Sequence, residues 1–224
     1  MVNYTDFIYV IDRLLQLTIS RQTLQLNSPT REKAFEIYVL SLVVEAVRRA
    51  GGQFDIYGIV SGLNPNPVVF RAAPGAVFSR TQNFAYIDCV LNGKQFEIHV
   101  DVEFEGSSGA THEMDISIVD DTHAERSRQG RRNPRYSIYV IECKFFSSST
   151  PSIGLARALV GLTSDTHPKM GSAFVSNGAT DNLKIYLSGR SRPDPHIDLT
   201  PLNNLSEERF INNIENLLRK WASV

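Results

Sequence analysis

The segment Tyr136 to Phe146 constrains the fold most. From Ile138 onward it is apolar on both faces, with Glu142 and Lys144 the exceptions. A strand with two apolar faces lies in the middle of a sheet, so helices must cover that sheet on both sides and the class is α/β. The neighbouring sequence supplies more of the sheet. Phe84 to Leu91, then Asn92-Gly93, then Lys94 to Phe104 reads as a β-hairpin, because Asn-Gly suits a tight two-residue turn. In the second arm Phe96, Ile98, Val100, Val102 and Phe104 alternate with Glu97, His99, Asp101 and Glu103, the period of a half-buried strand. Glu97, Asp101, Glu103 and Glu105 are accordingly expected on a solvated face. Further strands are expected over His112 to Val119 and Ser172 to Ser176, with His196 to Leu199 a candidate for another.

The helices follow from spacing and caps. Phe7, Ile8, Ile11, Leu14, Leu15 and Thr18 predict a helix over residues 4–19. A second is expected to start with Ser28 as cap and Pro29 at its first position, and to stop at Gly51-Gly52. It is apolar almost all round, so it is expected to be buried on more than one side. Pro151 to Leu162, introduced by Ser149-Thr150, reads as a helix, as does Ser206 to Trp221 with Ser206 capping; Asp181 to Leu187 reads as a short helix or strand. Residues 53–83, broken by Gly58, Gly62, Pro65, Pro67, Pro74 and Gly75, are expected to hold loops and short strands. With no repeat and no linker, residues 1–224 form one expected domain.

Composition acts by exclusion. Hydrophobic residues are 42% and charged residues 21%, a balance that excludes disordered and low-complexity classes. No apolar run approaches the roughly 18 residues of a membrane helix, and the N-terminus lacks the basic start and apolar core of a signal peptide. Cys89 and Cys143 make no disulfide framework, so a reducing cytoplasm is the expected setting. No His/Cys spacing fits zinc, and there is no phosphate-loop glycine pattern and no G-x-S-x-G.

The chemistry-bearing residues lie on the central strands. Glu142 and Lys144, two apart on one strand, share a face. Burying a carboxylate and an ammonium there costs several kcal/mol unless each finds a partner, and a metal ion and a phosphate are such partners. Asp115, between Met114 and Ile116, stands on the polar face of the preceding strand, with Glu113 on the same face. Adjacent strands would bring Asp115 and Glu142 to one hard cation; Mg²⁺ takes oxygen ligands of this kind. Lys144 would orient water or stabilise charge on phosphate.

Asp115, followed after an insertion by Glu142-Cys143-Lys144, resembles the PD-(D/E)xK nuclease superfamily, with Met114 where the family name has proline. Within it the chain is most similar to the restriction-endonuclease branch of Mrr type, whose first helix carries a glutamate after a phenylalanine, here Ala34-Phe35-Glu36 with Gly51-Gly52 beyond. The resemblance covers residues 30–200. It implies a restriction-endonuclease-like core: a central mixed sheet of four or five strands flanked by helices, with the terminal helices packed on it. It implies a catalytic set of Asp115, Glu142, Lys144 and Glu36, and Mg²⁺, for which Mn²⁺ can substitute, on Asp115, Glu142 and the backbone carbonyl of Cys143. The Cys143 side chain would pack on the opposite side of the sheet. Glu36 would hold a metal-bound water or Lys144; its alternative partner is Lys33, one helical turn earlier. The implied function is phosphodiester hydrolysis of nucleic acid, DNA first, by an endonuclease in bacterial defence or DNA processing. A homodimer or a partner protein would complete cleavage or recognition. The alternative is a nuclease-like fold acting as a non-catalytic nucleic-acid-binding or assembly module.

Two further groups of charge stand out. The polar insertion over residues 120–135 reads as a solvated loop and carries Arg126, Arg128, Arg131, Arg132 and Arg135, a concentration suited to phosphate. Glu45 lies nine residues after Glu36, on the opposite helix face, and surface pairing with Arg48 and Arg49 is expected. His112 reads as a strand-end residue.

Overall fold

The computed structural model describes Val2 and residues 4–17, 24–26, 30–148 and 151–223. The expected caps Ser28-Pro29 and Ser149-Thr150 lie outside the described residues, as do 18–19, but the first helix ends at Leu14, short of the expected 19. Along the chain the elements are α1 (Tyr4–Leu14), β1 (Leu24–Leu26), α2 (Arg31–Arg49), β2 (Gln53–Gly58), β3 (Gly62–Leu63), β4 (Val68–Phe70), β5 (Ala85–Leu91), β6 (Lys94–Glu105), β7 (Thr111–Asp120), α3 (Asp121–Gly130), β8 (Tyr139–Lys144), α4 (Ile153–Thr166), β9 (Ser172–Ser176), α5 (Asp181–Ser188), β10 (Asp194–His196) and α6 (Asn204–Ala222).

The main sheet is mixed and has eight strands in the order β10-β9-β8-β7-β6-β5-β2-β3. It is antiparallel from β3 to β8 and parallel from β8 to β10. The expected four or five strands fall short because the edges were not legible. β2 and β3 arise within the Gly- and Pro-broken stretch 53–83, and β2 owes its form to a six-residue antiparallel pairing with β5. β1 and β4 pair separately, in parallel. The Asn92-Gly93 turn joins β5 to β6 with both residues at positive φ, 51° and 78°, the type I′ geometry whose twist suits the flanking strands.

Helices cover both faces. Phe7 and Ile11 of α1, Phe35 to Val47 of α2 and Phe210 to Leu218 of α6 pack with Phe96, Ile98, Ile116, Ile118 and Ile141 in the main core. On the second face Ala124 of α3 joins Val119 and Val140, while Ala156 and Leu159 of α4 meet Phe174, Leu183 and Leu187. Every residue of α2 from Ala34 to Val47 is buried, polar ones included. This matches its all-round apolar sequence. The Thr30 hydroxyl caps the helix by accepting from the Lys33 amide at 3.2 Å.

The hairpin β6–β7 departs from regular alternation at one place. Val100 packs in the main core, yet Val102, two residues on, packs in the second cluster with Phe104 and Met114. Asp101 between them is left-handed, with φ 50°. That single residue swaps the faces, and the hairpin tip turns onto the second side of the sheet. The expected five-residue alternation from Phe96 to Phe104 therefore ends at Val100. A second departure is the arginine insertion. It is not a loop but begins as the helix α3, capped by Asp120, whose side chain accepts from the Thr122 amide at 3.0 Å.

Candidate active site

Sheet register assembles the site. Val100 pairs with Ile116 and Val102 with Met114, so Asp101 and Asp115 face each other across β6 and β7. Ile116 pairs with Ile141, so the next position brings Asp115 beside Glu142 of β8. One line across three strands thus carries three carboxylates, at the bend of the hairpin. The N-terminal half of α2, buried against the sheet, adds Glu36 and Lys33.

Hydrogen bonds fix the arrangement. Asp115 accepts the backbone N–H of Cys143 at 2.7 Å and the Lys144 ammonium at 3.1 Å through the same oxygen. Lys144 also pairs with Glu142 at 2.6 Å. In a strand the N–H and C=O of one residue point to the same edge, so the Cys143 carbonyl faces the Asp115 side, and its side chain is buried in the main core. The Lys33 ammonium donates to Glu36 at 2.7 Å and to Asp101 at 2.6 Å. Carboxylate oxygens of Glu36, Asp101 and Asp115 lie within 4.8 Å of one another. Asp101 is fully buried, and its Oδ1 has no hydrogen-bond partner among the described residues.

This crowding has an electrostatic signature. Burial, then the charges of Asp101 and Asp115, push Glu36 up to about 8 against the pull of Lys33. Burial raises Asp101 to about 6 despite its bond to Lys33. Burial and Asp115 raise Glu142 as well. Burial would lower Lys144, but Asp115 and Glu142 outweigh it and hold the ammonium firmly protonated. Three carboxyls raised first by burial, with Asp115 adding to each, describe a desolvated anionic centre.

The structure brings Glu36, Asp115, Glu142, Lys144 and the Cys143 backbone together. Asp101 is the residue that sequence reading missed, because it was assigned to a solvated strand face. The left-handed backbone turns it inward instead, and Asp is among the few residue types that adopt that conformation readily. Glu97 also leaves the expected solvated face: it is buried, with both oxygens bonded to Arg128 at 2.6 and 2.7 Å and one to His99 at 2.7 Å. Glu45 pairs with Arg48 and Arg49 as expected, but in a buried setting rather than at the surface. His112 bonds Asp165 at 2.6 Å, and Asp165 in turn accepts from Ser107 and Ser108, a clasp between the β6–β7 loop and α4.

The five arginines divide. Arg128 turns inward to Glu97, and Arg135 pairs with Glu105. Arg126, Arg131 and Arg132 are exposed and make no ion pair among the described residues. Among the described residues no helix is long and apolar enough to cross a membrane. No protein-family model matches the chain, and no curated protein matches it.

Proposed function

We propose that this chain is a Mg²⁺-dependent phosphodiesterase of the PD-(D/E)xK kind, built on a restriction-endonuclease-like core, that hydrolyses nucleic acid. DNA is its substrate, cut internally in defence or DNA processing, and Mn²⁺ substitutes for Mg²⁺. One observation carries the reading. Among the described residues Glu36, Asp101, Asp115 and Glu142 form ion pairs with two ammonium groups, Lys33 and Lys144, while the nearby charges of Arg71 and Glu113 cancel formally. The centre is therefore formally two negative charges in excess, which is the charge of one divalent cation.

The donor set fits such an ion. The ligand atoms of this set are oxygens, as a hard cation requires, and Asp101 Oδ1 is a buried acceptor without a donor among the described residues. Asp115, Glu142 and the Cys143 carbonyl would hold the ion. When bound, it supplies Lewis-acid polarisation of the phosphoryl oxygen and a more acidic water. Lys144, held between Asp115 and Glu142, donates toward the phosphate oxygen on which charge develops. Glu36, fixed by Lys33, orients water from the α2 side.

The test is cleavage of supercoiled plasmid, linear duplex, single-stranded DNA and RNA with Mg²⁺ or Mn²⁺, beside Lys144→Ala and Asp115→Ala. Cutting by the parent chain and by neither variant, all three equally folded, supports the reading. Cutting that survives in both variants ends it. Metal-dependent binding of nucleic acid without any cutting converts it to a binding module.

A further inference from the structure

We infer that a groove beside this centre holds an unpaired nucleotide of a single-stranded segment, its base against aromatic rings and its phosphates on Arg80 and Arg131. The inference rests on the proposed nucleic-acid substrate and names the form of that substrate. The groove has a volume of about 940 Å³ and lies between the β2–β3 turn, the 76–81 loop and α3. That is ample for a nucleotide, since small-molecule sites run from about 300 to 1,000 Å³.

Its walls are aromatic and cationic together. Tyr57 and Tyr86 lie nearly parallel, with ring centroids 5.9 Å apart and planes inclined by 30°. His99 backs Tyr86 at 5.2 Å, which fixes the ring before any ligand arrives. Phe78 carries the Arg131 guanidinium over its ring at 6.0 Å. The negative charge in the groove is already used: Glu125 accepts from Arg128 at 3.0 Å and from Gln129 at 2.9 Å. Arg80 and Arg131 are exposed and make no ion pair among the described residues. Free guanidinium groups beside ordered rings suit a chain of alternating phosphates and flat bases. An acidic peptide would satisfy the arginines but would make no use of the aromatic wall, where Arg128 already lies over Tyr86 at 5.5 Å.

Position ties the groove to the centre by two routes. Ala76 lines the groove, and the amide of its neighbour Gly75 donates to the Asp101 carbonyl at 3.1 Å. Tyr86 stacks on His99, which precedes Asp101 by two residues, about 7 Å along a strand. The groove and the centre are thus joined through β6, and a nucleic-acid strand bound in the groove can run on toward the carboxylates. A paired base has its π-faces covered by the stack and cannot enter.

Binding in EDTA tests this apart from cleavage. Fluorescence anisotropy would compare a labelled oligodeoxythymidine with a blunt duplex of equal length. The variants are Phe78→Leu, which keeps apolar volume on the core, and Arg80→Gln with Arg131→Asn, exposed positions; Asn suits the left-handed φ of 49° at Arg131. The parent chain should prefer the single strand at least tenfold. Phe78→Leu should weaken it about fivefold to a hundredfold, and the arginine pair should flatten its salt dependence by about 1.4 in log–log slope. Equal binding of duplex, parent-like affinity in both variants, or equal competition by polyglutamate would overturn the inference. Groove-dependent binding without cleavage at any metal concentration would instead remove the hydrolytic reading alone. Cleavage that needs Lys144 but ignores the groove variants would remove this one alone.

Discussion

Two acidic clusters lie on the same sheet, and they differ in what surrounds them rather than in their geometry. Oxygens of Asp88, Glu97 and Asp121 come within 4.8 Å of one another, as do those of Glu36, Asp101 and Asp115. In the first cluster Arg128 covers both oxygens of Glu97 and His99 adds a third bond. Burial alone would raise Glu97, but those partners hold it at about 2. Asp88, at the rim, is left raised, to about 6, by burial and then by Glu97, and Asp121 is raised by the same two causes. In the second cluster Glu36 rises to about 8 with a lysine already bonded to it. Proximity of carboxylates is therefore no guide to function. What separates the two is one residue each: Glu97 is covered by Arg128 and His99, whereas Glu36 stays raised beside Lys33.

The sharpest way to break that contrast is activity. Lys144→Ala and Asp115→Ala should each lower cleavage by about 10²–10³-fold or more, as removal of one transition-state donor does elsewhere. Asp121→Asn, in the compensated cluster, should stay within about twofold, because distant independent sites do not couple. A gel assay with matched far-ultraviolet circular dichroism decides it. If Asp121→Asn were the dead variant, the two clusters would have to exchange roles.

Stability should reverse the ranking. Arg128→Ala leaves Glu97 buried with His99 as its remaining partner, and one-sided removal of a buried ion pair costs on the order of 3–5 kcal/mol. Urea unfolding should show that loss, and Mg²⁺ should not restore it. A loss below 1 kcal/mol would mean that Glu97 finds water or a proton, and the description of that cluster as satisfied would fail.

Glu36 and Glu97 should answer pH with opposite signs. Glu36 binds its proton more tightly folded than unfolded, so the native state holds a proton that the unfolded chain has released. That stabilisation is complete below the ordinary carboxylate range and is lost as pH rises toward 8. Asp101 adds to it up to about 6. Glu97 works the other way: its contribution is complete above the ordinary range and is lost as pH falls toward 2. In EDTA the melting temperature should therefore drop by about 5 °C between pH 5 and pH 8. Glu36→Gln should flatten most of that drop, and Mg²⁺ should suppress it. A melting temperature that rises over this interval would contradict the uncompensated centre.

Much of the centre could be read from the chain because regular strands obey period two. Glu142 and Lys144 stand out against an apolar strand, and Asp115 interrupts another. The helix residue Glu36 came from its pairing with Phe35 in a family pattern, not from periodicity. What period two could not show was the place where it stops. Asp101 sits in a run that alternates without fault from Phe96 to Phe104, and nothing in that run marks a left-handed residue. The same regularity hid Glu97, whose partner Arg128 lies 31 residues away in an insertion that read as loop. β2 and β3 are legible only as unplaced short strands within 53–83, and β10 only two residues late, at 196–199, because pairing with a neighbour, rather than their own apolar content, makes them strands.

Asp101 offers the finest test, since one substitution should act in opposite directions on fold and metal. Asn tolerates the left-handed backbone that Asp101 adopts, whereas Ala would add strain unrelated to charge. Asp101→Asn removes a buried charge that repels Glu36 and Asp115, and its carbonyl still accepts from Lys33. The metal-free protein should therefore gain about 1 kcal/mol, the scale of relieving one unsatisfied buried polar group. Calorimetric Mn²⁺ titration of the same variant should show affinity weakened about tenfold, because the centre has lost a negative charge. Stabilisation with unchanged metal affinity would keep Asp101 as a burden on the fold and take it out of the site. Destabilisation without metal would mean that the Lys33 bond outweighs the repulsion, and the centre would then be compensated after all.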